Sequence, residues 1–276
     1  LFRGFDGSVD AFAALGDRFI SGSVAKHDLS RQSATPDHRV QTVNEGGQEF
    51  YMHPEIGREP WKPDMALFNC QIAPWRQGQT TIVDGVTIVE QLLDKTRELL
   101  MSHNMQFTSF IAPEKLEKWL GLKNPDNDQL IAAGIKYSCI FRKDGEHYLR
   151  IYQTPSLHKP RFSEKLAFGN YLLFSRFHNQ RTDYPTFEGG EIIPQFVCDE
   201  LQRISQEQAC AHSWRKGDTM MLDNTRFMHG RRAVTNQKRR LILARFGFVN
   251  FYDPTPEELA EQPWRESGVW LEVDWQ

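Results

Sequence analysis

Two histidines and a glutamate constrain this chain more than any other feature in it. His53 and Glu55 stand two residues apart in Tyr51-Met52-His53-Pro54-Glu55, and His229 lies far downstream in Asp223-Asn224-Thr225-Arg226-Phe227-Met228-His229-Gly230-Arg231. On an extended strand, residues i and i+2 point to one face, so His53 and Glu55 can aim an imidazole and a carboxylate at one ion. Two histidines and one carboxylate form a facial set that suits non-heme Fe(II) and leaves coordination positions open. A lone His-x-Glu is more often a surface pair or a core histidine with its partner, so order and context along the chain carry the weight.

Strand and helix signals run through that context. Residues 8–20 predict a helix, with Ser8 able to cap it and Val9, Phe12, Leu15 and Phe19 at helical spacing. Residues 21–38 predict a loop. Residues 39–55 predict strand segments broken by Asn44-Glu45-Gly46-Gly47, so His53-Pro54-Glu55 falls at the end of a strand or just past it. Residues 65–72 predict a strand, and residues 74–85 a turn, a strand and a second turn. Residues 86–101 predict one amphipathic helix on Val86, Val89, Leu92, Leu93, Leu99 and Leu100. A strand over 105–112, a short helix over 113–120 and a loop over 124–128 follow, then strands 135–141 and 147–153 joined through Lys143-Asp144-Gly145.

Part of the stretch 154–190 is expected to cover the site. Core packing is the plainer use of its aromatics Phe162, Phe168, Tyr171, Phe174, Phe177, Tyr184 and Phe187. A helix over 195–211 and strands over 219–223 and 241–248 complete the pattern. The acidic tail beyond Pro254 is expected to pack down through Trp264, Trp270 and Trp275. The sum is one domain with a β core and helices outside it.

Composition removes several alternatives. A formal charge of −3 offers no basic field for nucleic acid or an anionic membrane. No apolar run approaches the ~18 residues of a membrane span. Cys70, Cys139, Cys198 and Cys210 are scattered without a CxxC, the pattern of reduced, mostly buried thiols in a cytoplasmic protein. The chain opens on Leu1, not Met, which leaves a leader segment an open question.

Taken in order, Leu1-Phe2-Arg3-Gly4-Phe5, His53-Pro54-Glu55, Gly78-Gln79-Thr80, Asp84-Gly85, Gly217-Asp218, Asp223-Asn224, His229-Gly230-Arg231 and Arg240 resemble the taurine dioxygenase/clavaminate synthase superfamily of Fe(II)/2-oxoglutarate oxygenases. The likeness covers most of the chain and thins between about 103 and 212. It implies a mainly β fold with flanking helices, the double-stranded β-helix or jelly roll. It also implies a single oxygenase domain over 1–276, with an insert or lid within about 113–190.

Residue by residue, the resemblance implies His53, Glu55 and His229 as the metal ligands. The glutamate is similar to the clavaminate synthase branch, where the taurine branch commonly has aspartate. Thr80 stands where a threonine hydroxyl binds the distal carboxylate of 2-oxoglutarate. Arg240, 240 − 229 = 11 residues past the second histidine, stands where an arginine pairs with that carboxylate. A buried carboxylate needs such a partner, and a planar guanidinium can grip both of its oxygens. Arg239 and Arg245 compete for the role; on a strand Arg240 shares a face with Ile242 and Ala244, and the other two share the opposite one. Ala244 stands where some relatives carry a second arginine for an anionic substrate, which argues against a sulfonate held in that manner.

The remaining residues take plainer roles. Asp223-Asn224 is expected to be a turn that fixes the approach to His229, and Arg231 and Arg232 are expected to be structural or solvated. Asn44 and Glu45 line the pocket or form a plain turn. His158, His178 and His212 are expected at the surface or at caps, and His103 and His147 have no role.

The resemblance thus implies an enzyme that uses Fe(II), 2-oxoglutarate and O2. It would oxidise, by default hydroxylate, an unactivated C–H bond of a small molecule, releasing succinate and carbon dioxide. The glutamate branch suggests an amino-acid-like substrate or an intermediate of natural-product biosynthesis. Glu55 argues against halogenation, because related halogenases free a coordination position by lacking the carboxylate. A non-catalytic metal-binding jelly roll, sensor or cupin-like, and a zinc hydrolase share the ligand types. Neither explains Thr80 together with Arg240.

Overall fold

The strand that spans Met65–Ile72 is apolar on both faces and buried over most of its length, so it must be covered on both sides. A computed structural model of the protein describes residues 1–21, 31–43, 46–235 and 240–267. The elements run α1 (Val9–Phe19), β1 (Gln41–Thr42), β2 (Phe50–His53), β3 (Met65–Ile72), β4 (Thr80–Asp84), α2 (Gly85–Gln91) and α3 (Asp94–Ser102). Then follow β5 (Asn104–Ile111), α4 (Pro113–Leu120), α5 (Asn127–Tyr137), β6 (Ile140–Asp144), β7 (His147–Pro155) and β8 (Thr186–Phe187). The last are α6 (Gln195–Gln208), β9 (Cys210–His212), β10 (Thr219–Asp223), β11 (Phe227–Arg231), β12 (Leu241–Gly247), α7 (Pro256–Glu261) and α8 (Trp264–Ser267). Three four-stranded antiparallel sheets result, ordered β1-β12-β3-β10, β2-β11-β4-β9 and β6-β7-β5-β8.

Period-two alternation decides what each face meets. Ala66, Phe68 and Cys70 of β3 share one buried cluster with Ile242, Ala244 and Phe246 of β12. That face meets the second sheet, where Phe68 lies edge-on to His229 at 4.9 Å between ring centres. The opposite face, with Met65, Leu67 and Leu243, packs on Phe12 of α1. The outer face of the second sheet, with Met52, Val83 and Met228, is covered by Ile88 and Val89 of α2, Val197 and Leu201 of α6, and Met105 and Phe107 of the third sheet. Burying each such side chain contributes about 1.5–3 kcal/mol. Among the described residues no helix is long and apolar enough to cross a membrane.

The sequence expectations fail in three places, each for a local reason. The single helix over 86–101 is two helices. Leu92 is extended, at φ −66° and ψ 141°, and the Leu93 N–H donates to Glu200 Oε1 at 2.7 Å, so a carboxylate from α6 caps α3. Ile135 to Tyr137 are not strand but the last turn of α5, which ends on Ser138 in the left-handed region. The helix starts at a capping box of Asp126 and Gln129, inside the stretch expected to be loop.

The histidines differ as well. His158 is largely buried and its Nε2–H donates to the Thr225 carbonyl at 2.7 Å. His178 packs on Phe174 at 4.3 Å between ring centres, and His212 contacts Asp218. None of the three is a free surface residue. Trp264 is fully buried, whereas Trp270 and Trp275 lie outside the described residues.

The loop after β2 is held by long-range polar contacts. Asn224 Oδ1 accepts from the Glu55 N–H at 2.7 Å, and its Nδ2 donates to the carbonyls of Glu55 at 3.0 Å and Pro63 at 2.9 Å. Nine residues on, Asp64 accepts from Arg161 at 2.9 Å and from Arg265 at 2.7 Å, which ties α8 to the same loop. Asn224→Ala leaves three buried backbone groups unpaired at about 1–3 kcal/mol each at most. A loss of about 2–4 kcal/mol in urea unfolding is expected. A change below about 0.5 kcal/mol would show that the loop does not depend on Asn224.

Burial, and then the charge of Lys62, push the His158 pKa down to about 3. The folded state therefore refuses a proton that the unfolded chain takes up below its ordinary value of 6.5. His158 contributes stability above pH 6.5 that is lost as the pH falls towards 3, at up to about 1.4 kcal/mol per pH unit. His158→Gln should flatten the fall in unfolding free energy across that window, and an unchanged slope would contradict it.

Candidate metal centre

β2, β11 and β4 lie side by side, and their register builds the site. His229 pairs with His53 on one side and Ile82 on the other; two residues on, Arg231 pairs with Phe50 and Thr80. The step from Phe50 to His53 is three residues against two on β11, a bulge that brings Phe50 and His53 to the same face. Their rings lie 5.0 Å apart. Gly230 makes this approach possible, since a Cβ there would stand 2.6 Å from the Phe50 carbonyl.

His53 is the last residue of β2, and Glu55 lies beyond the strand in a turn. Strand alternation therefore does not aim the carboxylate; the Asn224 contacts to its backbone do. Donor atoms of His53, Glu55 and His229 all lie within 4.8 Å of one another, and all three residues are buried. His53 Nδ1–H donates to the Tyr51 carbonyl at 2.8 Å, which leaves Nε2 as the free donor atom. Burial, and then the neighbouring His229, push the His53 pKa down to about 3, so the ring is neutral and ready to ligate at pH 7.

His229 Nε2 stands 3.6 Å from Glu55 Oε2, and its Nδ1 is buried without a hydrogen-bond partner among the described residues. Burial opposes ionisation of Glu55, but the Arg31 guanidinium and His229 outweigh it and hold the carboxyl well below its ordinary range. Imidazole nitrogens beside an ionised oxygen suit a divalent ion such as Fe(II).

Thr80 and Arg240 line the same cavity, with Phe68 and Ile242 from the facing sheet. The Thr80 hydroxyl accepts from Trp214 Nε1–H at 2.9 Å, so its own O–H is free to donate into the cavity. The Arg240 Nε is buried and has no partner among the described residues. Burial, and then the charge of Arg231, push its pKa down to about 10. Arg245 points the other way, donating to the Ala13 carbonyl at 2.7 Å and pairing with Asp17, while Arg239 lies outside the described residues.

Arg231 is structural. Its Nη2 donates to the carbonyls of Gly46 at 2.8 Å and Gln48 at 3.0 Å. Asn44 and Glu45 lie outside the described residues. A π-helical turn over Phe174–His178 sets the Phe174 ring 4.8 Å from that of His53, so one turn of the stretch 154–190 packs beside a candidate ligand. Phe168 and Phe187 of the same stretch are core.

Sequence reasoning missed Arg31. Its Nη2 donates to Glu55 Oε1 at 2.6 Å, and both side chains are buried, at 8% and 9% exposure. It sits in a polar stretch without periodicity, and nothing local announces its partner.

Comparison with known proteins bears on this geometry. A clavaminate synthase-like protein of Arabidopsis thaliana is 23% identical over 263 residues, covering 87% of this chain and 79% of its own length. The PvcB protein of Pseudomonas aeruginosa superposes with a TM-score of 0.52 at 17% identity, over 89% of this chain and 73% of its own. AAD-2, in a complex with Mn(II) and N-oxalylglycine, superposes with a TM-score of 0.55 at 13% identity, over 92% of this chain and 82% of its own. The family described as "Taurine catabolism dioxygenase TauD, TfdA family" matches residues 1–245. The chain therefore belongs to the TauD/TfdA family and is one of its Fe(II)- and 2-oxoglutarate-dependent dioxygenases.

Proposed function

We propose that this enzyme oxidises, in the simplest case hydroxylates, an unactivated C–H bond of a small molecule. An amino-acid-like compound or a natural-product intermediate is the proposed substrate class. In this reading His53, Glu55 and His229 hold Fe(II), and Thr80 and Arg240 hold the far carboxylate of 2-oxoglutarate. The two facing four-stranded sheets are read as a double-stranded β-helix. The whole chain is read as one oxygenase domain over 1–276, with an insert or lid region somewhere within about 113–190. When bound, the iron and 2-oxoglutarate supply the oxidising chemistry, with O2 consumed and succinate and carbon dioxide released.

One observation carries the reading. Arg240 is a half-buried cation whose buried Nε has no partner, and on which no carboxylate acts, among the described residues, and it lines the same cavity as the two histidines and the glutamate. A buried charge is costly unless paired, so this cavity favours an anion. A metal-storage protein or a zinc hydrolase has no need of such a pair.

The chain's own residues have separable tasks. His53 and His229 offer imidazole nitrogens, Glu55 offers charge, and the Thr80 hydroxyl, which accepts from Trp214, donates its own proton. Phe50, Phe68 and Phe174 border the ligand cluster with apolar surface, which limits water there. Ala244 is fully buried in the core four residues past Arg240, so no cation stands at that position for a sulfonate.

With Fe(II), ascorbate and 2-oxoglutarate, succinate should form in the presence of a small-molecule substrate found by screening. No turnover with any candidate, together with no 2-oxoglutarate binding by calorimetry, would overturn the proposal. Glu55→Ala should abolish metal-dependent succinate formation, and full activity in that variant would remove Glu55 from the ligand set. Arg240→Met should weaken 2-oxoglutarate binding about 100-fold and Thr80→Val about 10-fold, as charged and neutral hydrogen bonds are lost. Arg240→Met should not lower thermal stability without co-substrate, since it removes an unmatched buried cation. Equal losses of binding and stability would mark Arg240 as structural.

A further inference from the structure

We infer that Arg31 is a positioning residue that makes Glu55 ligate through one oxygen only, Oε2, and so keeps open a coordination position that a chelating glutamate would occupy. The inference rests on the assignment of His53, Glu55 and His229 as metal ligands made above. Its starting point is the division of the carboxylate. Oε1 accepts from Arg31 Nη2 at 2.6 Å, whereas Oε2 is the oxygen that faces His229 Nε2 at 3.6 Å.

Three features make this division rigid. The pair is shielded from water, so the charge-assisted hydrogen bond is stronger than a surface one. The guanidinium also lies over the Phe246 ring, 5.0 Å from its centre, which anchors Arg31 to the facing sheet. The backbone of Glu55 is held from the other side by Asn224, at both its N–H and its carbonyl. With the backbone and Oε1 both held, the carboxylate cannot turn its two oxygens together towards the histidines.

The consequence is a matter of counting positions. In the facial arrangement, three protein donors and a chelating 2-oxo acid leave one position for O2. A glutamate that chelated would take that position or compete with the 2-oxo acid for its own. Glutamate is more able to do so than aspartate, because its extra methylene adds a torsion. Arg31 removes that freedom.

The test compares wild type with Arg31→Met and Arg31→Lys, in the absence of oxygen. Mn(II) affinity is measured first, then 2-oxoglutarate affinity of the Mn(II)-loaded protein. Nitric oxide binding to the Fe(II)- and 2-oxoglutarate-loaded protein is then followed by electron paramagnetic resonance. Nitric oxide is neutral, so it reports an open position and not the lost charge. Arg31→Met should bind Mn(II) as tightly as wild type or more so, because a cation competing for Glu55 is gone. Its 2-oxoglutarate affinity should fall about 10- to 100-fold, and its nitric oxide signal should fall with it. Arg31→Lys, which can still hold Oε1, should restore most of both.

Parallel losses of Mn(II) and 2-oxoglutarate affinity in Arg31→Met would mean a merely structural role and overturn the inference. So would wild-type 2-oxoglutarate and nitric oxide binding in that variant. A wild-type protein that binds Mn(II) but no 2-oxoglutarate would overturn the reading of the site itself, and the role of Arg31 with it.

Discussion

The pairing of β2 with β11, with its bulge between His53 and Phe50, is the constraint on which the site depends. It sets His53 opposite His229 and, one step along, Phe50 and Thr80 beside Arg231. Hydrophobicity alone does not choose this register. Both faces of the second sheet are buried, one against the facing sheet and one under α2 and α6. A slip of one residue would exchange His229 with Met228, turning an imidazole into the apolar cluster under the helices and a thioether into the cavity. The unpaired polar group carries the penalty. The histidines thus help to specify the fold that later makes use of them.

Several buried charges elsewhere in the molecule meet a partner of opposite sign, and the contrast gives Arg240 its meaning. Asp64 meets Arg161 and Arg265, Arg150 meets Glu59 with both side chains 2% exposed, and Arg245 meets Asp17. Each closes a contact between segments distant in the chain. Arg240 closes none. A site that holds an unmatched charge in the folded state gains stability whenever an ion of opposite sign binds, because the unfolded chain has no such affinity. An unmatched cation beside the ligand cluster is therefore a functional signal, and it is visible without any ligand.

The sequence made some of this legible and hid the rest for physical reasons. That His53, Glu55, His229, Thr80 and Arg240 meet in one cavity was readable because each belongs to a short motif, and the order of those motifs is specific. The two faces of β12 followed from alternation, which separated Arg240 from Arg245 correctly. Helix α1 followed from its cap and spacing. The break at Leu92 was not legible, because the carboxylate that caps α3 comes from Glu200, 107 residues away from Leu93. Ile135 to Tyr137 looked like strand because isoleucine and tyrosine favour strands. The Asp126–Gln129 capping box, a local signal, would have assigned them to a helix. The burial of His158 depends on Thr225 and Lys62, which only tertiary contact brings near.

Glu55 shows most plainly where motif reading ends and structure begins. As half of His-x-Glu it announces a ligand, and strand geometry offers a simple account of its direction. That account fails, since the residue lies past the strand. Its backbone is held by Asn224, 169 residues away in sequence, and its Oε1 by Arg31, 24 residues away. An aspartate at this position would set its carboxylate one methylene closer to the same backbone. The longer side chain can serve both Arg31 and the histidines, at the cost of a torsion that has to be restrained. The residue type at the ligand position and the arginine behind it are thus one feature, and the first is fully explained only by the second.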